Sequence, residues 1–497
     1  MTCQSLVFTL LALIGSNSFM CASHAGMQAG NDGMEDALNV VIFFTDDQGW
    51  GDLGCQGSVD IPTPHIDALA SQGIRFTNFY TAQPVCSASR ASLMTGCYAN
   101  RLGISGAFAP SSPIGLNPDE TTIAEVLEPA GYVSGCFGKW HLGHHPEFLP
   151  TNQGFSIYSG IPYSNDMWPG HPESPKAWPP LPWYTIRAGE DRPAVEIIDD
   201  LDGQDQITRK STREAVEFVE THADRPFFLY VPYSMPHVPL GVGPDFRQST
   251  RYGPYGDVIR EIDWSVGEVV DALDRTGVLD RTLVIFTSDN GPWLSYGDHA
   301  GTTGGLREGK GTTFEGGVRV PMVARLSGVI PPGSVCEEPC MTIDLLPTIA
   351  ALTRTTQHLG MHAIDGRDIG PLLRADSGAV SPHEALFFWY HKGDLEAMRS
   401  GRWKLHFPHG YRTMKGRIPG NNGIPGKYDY SARTQVELYD LASDPFESRN
   451  VAQDHPDVVN RLSELADAKR EVLGDRLQGV DGSEVRAPGR IQVGSGT

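Results

Sequence analysis

Asn39-Val40-Val41-Ile42-Phe43-Phe44-Thr45 runs without a polar break into Asp46-Asp47. Seven residues of this kind have the length and texture of a strand covered on both faces, and the abrupt change to paired acids marks its end. A second run, Leu283-Val284-Ile285-Phe286-Thr287, stops in the same way at Ser288-Asp289-Asn290-Gly291. Two buried strands that deliver oxygen ligands at their carboxyl ends are expected to be neighbours in a parallel sheet, with the functional site at that edge. Between them, Tyr132–Phe137 and Phe227–Val231 read as further strands, and Ile66–Ala70 and Ile123–Leu127 as helical turns. Val258, Ile262, Val266, Val269 and Leu273 recur at helical spacing, which predicts a helix over 257–275 closed by Gly277. This alternation predicts an α/β architecture: a mixed, mostly parallel sheet between helices.

At 497 residues the chain suits one large domain and a smaller one. Residues 39–380 are expected to form the large domain, which carries both acid-tipped strands. From Ser381 short strands replace the alternation, at Leu386–Tyr390, Glu396–Arg399 and Trp403–Phe407, and Pro456–Val472 has helical spacing. Residues 381–478 are therefore expected to form a small C-terminal α+β domain with an antiparallel sheet, and the polar, Gly-rich 479–497 a disordered tail. Trp168–Pro193, dense in Pro, Trp and Gly, is expected to be an irregular excursion. Residues 1–25 carry the short apolar stretch Leu6–Ile14 and small residues before Gly26, as a cleaved export signal does. A flexible tail over 26–38 would follow. That stretch is too short to span a bilayer, so no stable membrane anchor is expected.

A formal charge of −21 argues against nucleic acid or an anionic lipid surface as partner. Any anionic substrate needs a local positive pocket. Loss of the signal would remove Cys3 and Cys21, and a chemical role for Cys86 would leave an odd number of cysteines, so no disulfide framework is implied. Cys336 and Cys340 can pair across their short loop or remain buried thiols. No N-x-[ST] sequon occurs, which favours a bacterial exported protein, periplasmic or extracellular, over a lysosomal one.

The chemistry gathers in a few short segments. Asp46, Asp47, Asp289 and Asn290 form an all-oxygen set suited to a hard divalent cation; calcium tolerates the irregular geometry, and magnesium is compatible with the sequence. Cys86-Ser87-Ala88-Ser89-Arg90, continuing through Gly96, sets a cysteine at the start of a short helix one turn before an arginine, where backbone N–H groups favour an anion. Gly138-Lys139-Trp140-His141-Leu142-Gly143 follows a strand, and its flanking glycines allow a loop in which Lys139 and His141 converge. His237 lies in Pro236-His237-Val238-Pro239, again beyond a strand's end. Lys310 sits in the Gly-rich Gly309–Arg319, whose backbone can approach an anion closely.

These segments resemble the type I sulfatases. The run at 86–96 fits C-x-(P/A)-S-R-x-x-L-x-T-G, with Ala88 in place of the commoner proline; G-K-W-H-L-G and G-K-G-x-x-x-E-G-G-x-R match at 138–143 and 309–319. The likeness extends to Asp344–Thr348 and Glu437–Leu441. It implies an alkaline-phosphatase-like fold and arylsulfatase-type hydrolysis of sulfate monoesters of a sugar, glycolipid or aryl alcohol. It further implies that Cys86 is oxidised to formylglycine by a formylglycine-generating or anaerobic sulfatase-maturing enzyme. Arg90 and Lys139 would then orient the aldehyde hydrate, His141 would contact it, and His237 and Lys310 would engage sulfate and leaving group. Ser164 would support binding, and Asp46, Asp47, Asp289 and Asn290 would hold calcium. One hydroxyl of the hydrate attacks sulfur, and the other expels sulfate by restoring the carbonyl. With three aspartates, a divalent ion and the cations Arg90, Lys139 and Lys310, the pocket is net positive inside an acidic protein. A phosphodiesterase or phosphonate monoester hydrolase could use the same apparatus. A silent sulfate-glycan binding protein would not require so complete a set.

Overall fold

The computed structural model describes residues 37–491; the expected export signal and most of the tail behind it, together with 492–497, lie outside the described residues. The apolar run Asn39–Thr45 is strand β1, every residue of it buried. Its side chains alternate between two cores, as strand geometry requires. Val40, Ile42 and Phe44 pack with Ala88, Leu93, Ile123 and Leu345 on one side. Val41 and Phe43 pack with Ile66, Leu69, Phe218, Val258 and Ile262 on the other. Helices therefore cover both faces, and each fully buried Val, Ile or Phe of β1 contributes about 1.5–3 kcal/mol.

The sheet has ten strands. After β1 come β2 (Ile74–Phe76), β3 (Val133–Phe137), β4 (Ile157–Gly160), β5 (Leu181–Arg187), β6 (Ala194–Ile198), β7 (Phe227–Pro232), β8 (Thr282–Ser288), β9 (Met322–Arg325) and β10 (Ser334–Cys336). Their spatial order is β10-β2-β9-β8-β1-β7-β3-β4-β5-β6. The central five, β8-β1-β7-β3-β4, are parallel, while antiparallel pairs occur toward the edges. The predicted pairing of the two acid-tipped strands is present, with Thr45 opposite Ser288. Parallel alignment carries Asp46-Asp47 and Asp289-Asn290 to the same edge. The long helix spans Pro254–Arg275, and Gly277 beyond it takes the left-handed conformation (φ 72°) that closes such helices.

Two expectations are corrected. Trp168–Pro193 is not wholly irregular: Leu181, Trp183 and Ile186 are buried in β5, which extends the sheet. Prolines hid it, yet Pro182 lies in the half of the strand that pairs only with β6, where a missing N–H is tolerated. The segment from 479 is also ordered as far as Ile491. Gly489–Arg490 pairs with Ile114–Gly115. Arg486 donates to both carboxylate oxygens of buried Glu120 at 2.7 Å, and Arg101 bonds Glu484 at 2.6 Å. A polar, Gly-rich tail is thus fastened by two ion pairs, one of them bidentate, that hydrophobic patterning does not report.

The smaller domain is a four-stranded antiparallel sheet, Leu386–Tyr390, Asp394–Ser400, Trp403–His406 and Glu437–Asp440, backed by the helix Pro456–Leu473. Its core includes Tyr80, Tyr98, Val318 and Ile343 of the large domain, so the two share one apolar seam. Among the described residues all six cysteines are free thiols, Cys336 and Cys340 included.

Candidate active site

Every strand of the parallel centre ends at one place. β1 releases Asp46-Asp47, β8 releases Asp289-Asn290, β3 releases Gly138-Lys139, β4 leads to Ser164, and β7 leads to His237. Asp46, Arg90, Lys139, Asp289 and Asn290 are completely buried, and Lys310, at 6% exposure, is the most accessible of the set. Gly138 makes the turn into Lys139 at φ 139°; a Cβ there would stand 2.1 Å from the Pro232 carbonyl oxygen, which instead accepts the Lys139 N–H at 2.6 Å. Asp47 (φ 67°) and His141 (φ 59°) hold left-handed backbone, a conformation non-glycine residues adopt at a cost and mainly where the surroundings enforce it.

Cys86 is the first residue of a fully buried helix, Cys86–Thr95, closed by Gly96 in the left-handed conformation. No side chain caps its start, and its three serines lower its helix propensity, so packing holds it. The sulfur lies 3.3 Å from Asp46 Oδ1 and 3.5 Å from Lys310 Nζ. Burial, and then the charge of Asp46, push the thiol well above its ordinary pKa. As a thiol it is protonated and a poor nucleophile.

Around it, carboxylates and cations interlock. Arg90 donates to Asp289 Oδ2 at 2.9 Å and to the Lys139 carbonyl at 3.2 Å, and lies 3.4 Å from Asp46. Lys139 pairs with Asp46 and donates to Ser164 Oγ at 3.1 Å. Lys310 reaches both oxygens of Asp47, at 2.7 and 2.8 Å. Asn290 Nδ2 donates to Asp47 Oδ1 at 2.7 Å, and Asp289 Oδ1 accepts the Asp47 N–H at 3.0 Å. Burial opposes the charge on Asp46, yet Lys139, His237, Arg90 and Lys310 outweigh it and hold that carboxyl well below the usual range. Asp289 goes the other way, raised by burial and by the charge of Asp46. Neighbouring buried acids that push each other's pKa values apart are short of positive charge.

The buried Asn290 Oδ1 has no hydrogen-bond partner. An unsatisfied amide oxygen among three carboxylates is the donor set of a hard divalent cation, so the residues present fit such an ion.

The two histidines are fixed by carbonyls, which only accept. His141 Nε2 lies 2.8 Å from the Phe108 oxygen and therefore carries the hydrogen, leaving the buried Nδ1 as an unpartnered acceptor. Burial, then Lys139, hold its pKa well below the ordinary value, so it is neutral. His237 Nδ1 donates to the Val238 oxygen at 2.7 Å, and Nε2 faces Asp47 at 3.6 Å. Except for His141, which the electrostatics of Lys139 and Arg90 reach, the expected residues are joined by direct polar contacts. Arg90 and Lys139 address the carboxylates and Ser164, not the sulfur.

Three further residues belong to the site. Trp293 lies 4.5 Å from Lys310 Nζ and 5.4 Å, ring to ring, from His237. Asn165 donates to the Pro239 oxygen at 3.1 Å and steadies the His237 loop. Arg412, from the smaller domain, donates to the Lys310 carbonyl at 3.0 Å. Trp293 follows Asn290 by three residues, a proximity that could have flagged it; Arg412 has no such signal. The smaller domain also anchors the Gly309–Arg319 loop through buried pairs, Lys404 with Glu315 at 2.8 Å and Thr313 with Glu396 at 3.0 Å.

The sulfatase family model matches residues 38–355, and that of the C-terminal region of aryl-sulfatase matches 381–481. Arylsulfatase A of Homo sapiens is 39% identical over 449 residues, 86% of this chain and 86% of that protein. N-acetylgalactosamine-6-sulfatase of Homo sapiens is 34% identical, covering 89% of this chain and 88% of that protein. The crystal structure of the PsFucS1 sulfatase from Pseudoalteromonas sp. is 29% identical and has a TM-score of 0.79, over 87% of this chain and 90% of that one. The fold they share is the alkaline-phosphatase-like one expected. Since both regions of the family match in order, and relatives align over most of their length, the chain belongs to the sulfatase family and is a hydrolase of sulfuric esters.

Proposed function

We propose that Cys86, once oxidised to formylglycine, is the nucleophilic residue of a sulfate monoester hydrolase whose divalent ion, calcium in the first instance, is held by Asp46, Asp47, Asp289 and Asn290. The observation that carries this reading is the seat of Cys86: a buried thiol, unfit as a thiolate, between the carboxylate of Asp46 and the ammonium of Lys310. The hydrated aldehyde supplies two hydroxyls on one carbon, one to attack sulfur and one to release sulfate. The ion, when bound, supplies positive charge that polarises a sulfate oxygen and acidifies a neighbouring hydroxyl.

The chain's own groups do the rest. Lys139, tied to Asp46 and Ser164, and Lys310, tied to Asp47, present cations to the developing charge, each worth about 3 kcal/mol in the transition state. His141 Nδ1 can accept the proton of a hydroxyl at position 86. His237 Nε2, with Nδ1 anchored on Val238, is the proton donor suited to a leaving oxygen. Burial of the set keeps water from weakening these interactions. The substrate is a sulfated sugar, glycolipid or aryl ester, met after export to the periplasm or the cell exterior. Among the described residues no helix is long and apolar enough to cross a membrane.

Peptide mass spectrometry across Cys86 tests the reading directly: the thiol-to-aldehyde mass loss is expected, and Cys86→Ala should abolish aryl sulfate turnover with unchanged thermal unfolding. Retained turnover in that variant, or faster hydrolysis of an aryl phosphodiester than of an aryl sulfate, would overturn it.

A further inference from the structure

Beside the catalytic cluster, the smaller domain frames a cavity of about 630 Å³ whose lining includes Gly311, Tyr411, Arg412, Tyr430, Arg433 and Arg476. Its volume is that of a ligand site, not of a packing defect. It adjoins a second cavity of about 280 Å³, lined by Trp293 and Lys427 among others, with Arg412 and Tyr430 common to both. Trp293 in turn touches Lys310 and His237. A path of lining side chains therefore leads from the sulfate-handling groups outward to Arg433.

The path is charged against the grain of the molecule. In a chain of net charge −21, the two cavities present the cations Arg412, Lys427, Arg433 and Arg476 against the carboxylates Glu173 and Asp394. Asp394 is already paired with Arg476 at 2.6 Å. Arg433 is exposed and donates only to backbone carbonyls of its own loop, at Tyr430 and Ala432, which leaves guanidinium donors free for a planar or tetrahedral anion. Tyr430 stands 68% exposed, its ring edge-to-face with Tyr428 at 6.2 Å, and Arg412 lies over Tyr428 at 4.6 Å. A largely exposed tyrosine beside guanidinium groups matches a sugar ring, whose C–H face is apolar and whose substituents here would be anionic.

We propose that this double cavity is a subsite for a second anionic group, a sulfate or a uronate carboxylate, on the sugar next to the one that carries the scissile ester. Arg433 is its principal specificity-determining residue, and Arg476 and Tyr430 support it. The proposal rests on the sulfatase reading above and narrows its substrate class to polyanionic glycans.

Steady-state kinetics on four substrates test it: a disaccharide with the scissile sulfate and a second sulfate, one with a uronate in place of that second sulfate, one with neither, and an alkyl galactoside monosulfate. The second anion should raise kcat/KM at least tenfold, through KM, and R433A should reduce that advantage to below threefold. R476A should reduce it as well, and R433K should restore part of it. The arm that responds most to R433A identifies the second anion. Equal turnover of the charged and uncharged disaccharides, an advantage untouched by R433A, or preference for the alkyl galactoside would overturn the subsite. If no sulfate ester is turned over, the function proposed above fails instead, and calorimetry decides the subsite: fivefold weaker binding of the disulfated disaccharide by R433A upholds it, and equal affinity ends it.

Discussion

One ammonium group, Lys310 Nζ, bridges both oxygens of Asp47 and lies 3.5 Å from the sulfur of Cys86. It therefore links the carboxylates suited to a metal with the seat of the proposed nucleophile. Replacing it should affect the two in opposite directions. Lys310→Met is expected to lower kcat/KM by about 100- to 1000-fold. It should also tighten binding of a divalent cation, because Asp47 loses a competing positive charge. Calorimetric titration of the metal-free variant alongside kinetics checks this, and weaker cation binding together with lower activity would refute it.

Leaving-group protonation gives the second prediction. His237 Nδ1 is committed to the Val238 carbonyl, so an acid at Nε2 must be the imidazolium. Burial, and then Lys310, lower its pKa below the ordinary histidine value, with Asp47 opposing. The protonated form is present below that pKa and lost as pH rises through it, so kcat should fall with rising pH along a limb below neutrality. His237→Gln should flatten that limb. The effect should be large for sugar sulfates, whose leaving alkoxides need a proton, and small for nitrophenyl sulfates. An unchanged profile in the variant would remove His237 from this role.

Metal binding should be coupled to protons. Asp289 is raised above the usual carboxylate range in the metal-free site, so it is protonated at acidic pH and must lose that proton to serve as a ligand. Cation affinity is expected to rise with pH through that range, by at most about tenfold per unit, with proton uptake on chelation. Chelation should lower the unfolding temperature by a few degrees, reversed by calcium. Affinity independent of pH would exclude Asp289 as a ligand.

Glu261 offers a stability test. It is buried, accepts one hydrogen bond, from the Gly243 N–H at 2.7 Å, and has an unpartnered Oε1. Burial pushes its pKa up to about 7. A carboxyl whose folded pKa exceeds its unfolded value stabilises the fold below the unfolded pKa, and that contribution disappears as pH rises through the folded one. Stability should fall between about pH 4.5 and 7 by at most about 3 kcal/mol. Glu261→Gln should lose this slope, which unfolding in urea at a series of pH values would show; an identical slope in the variant would contradict it.

Much of this molecule is written in local pattern. The apolar runs at Asn39–Thr45 and Leu283–Thr287 named their own strands, their acidic ends and their parallel pairing, because a strand buried on both faces has no other composition available to it. The segments around Cys86, Lys139, His237 and Lys310 were legible because each follows a strand or opens a helix, and the sheet has only one carboxyl edge. What local pattern could not carry is whatever depends on a partner distant in the chain. Order in the segment after Gly479 rests on Arg486 meeting Glu120 and on Arg490 pairing with Ile114. The strand Leu181–Arg187 exists because a sheet edge was there to receive it. The contact of Arg412 with the Lys310 carbonyl, and the cationic cavity beyond it, arise only where the smaller domain closes on the larger. Periodicity records which face of an element is buried; which charged side chains meet across that closure is decided by the assembled chain.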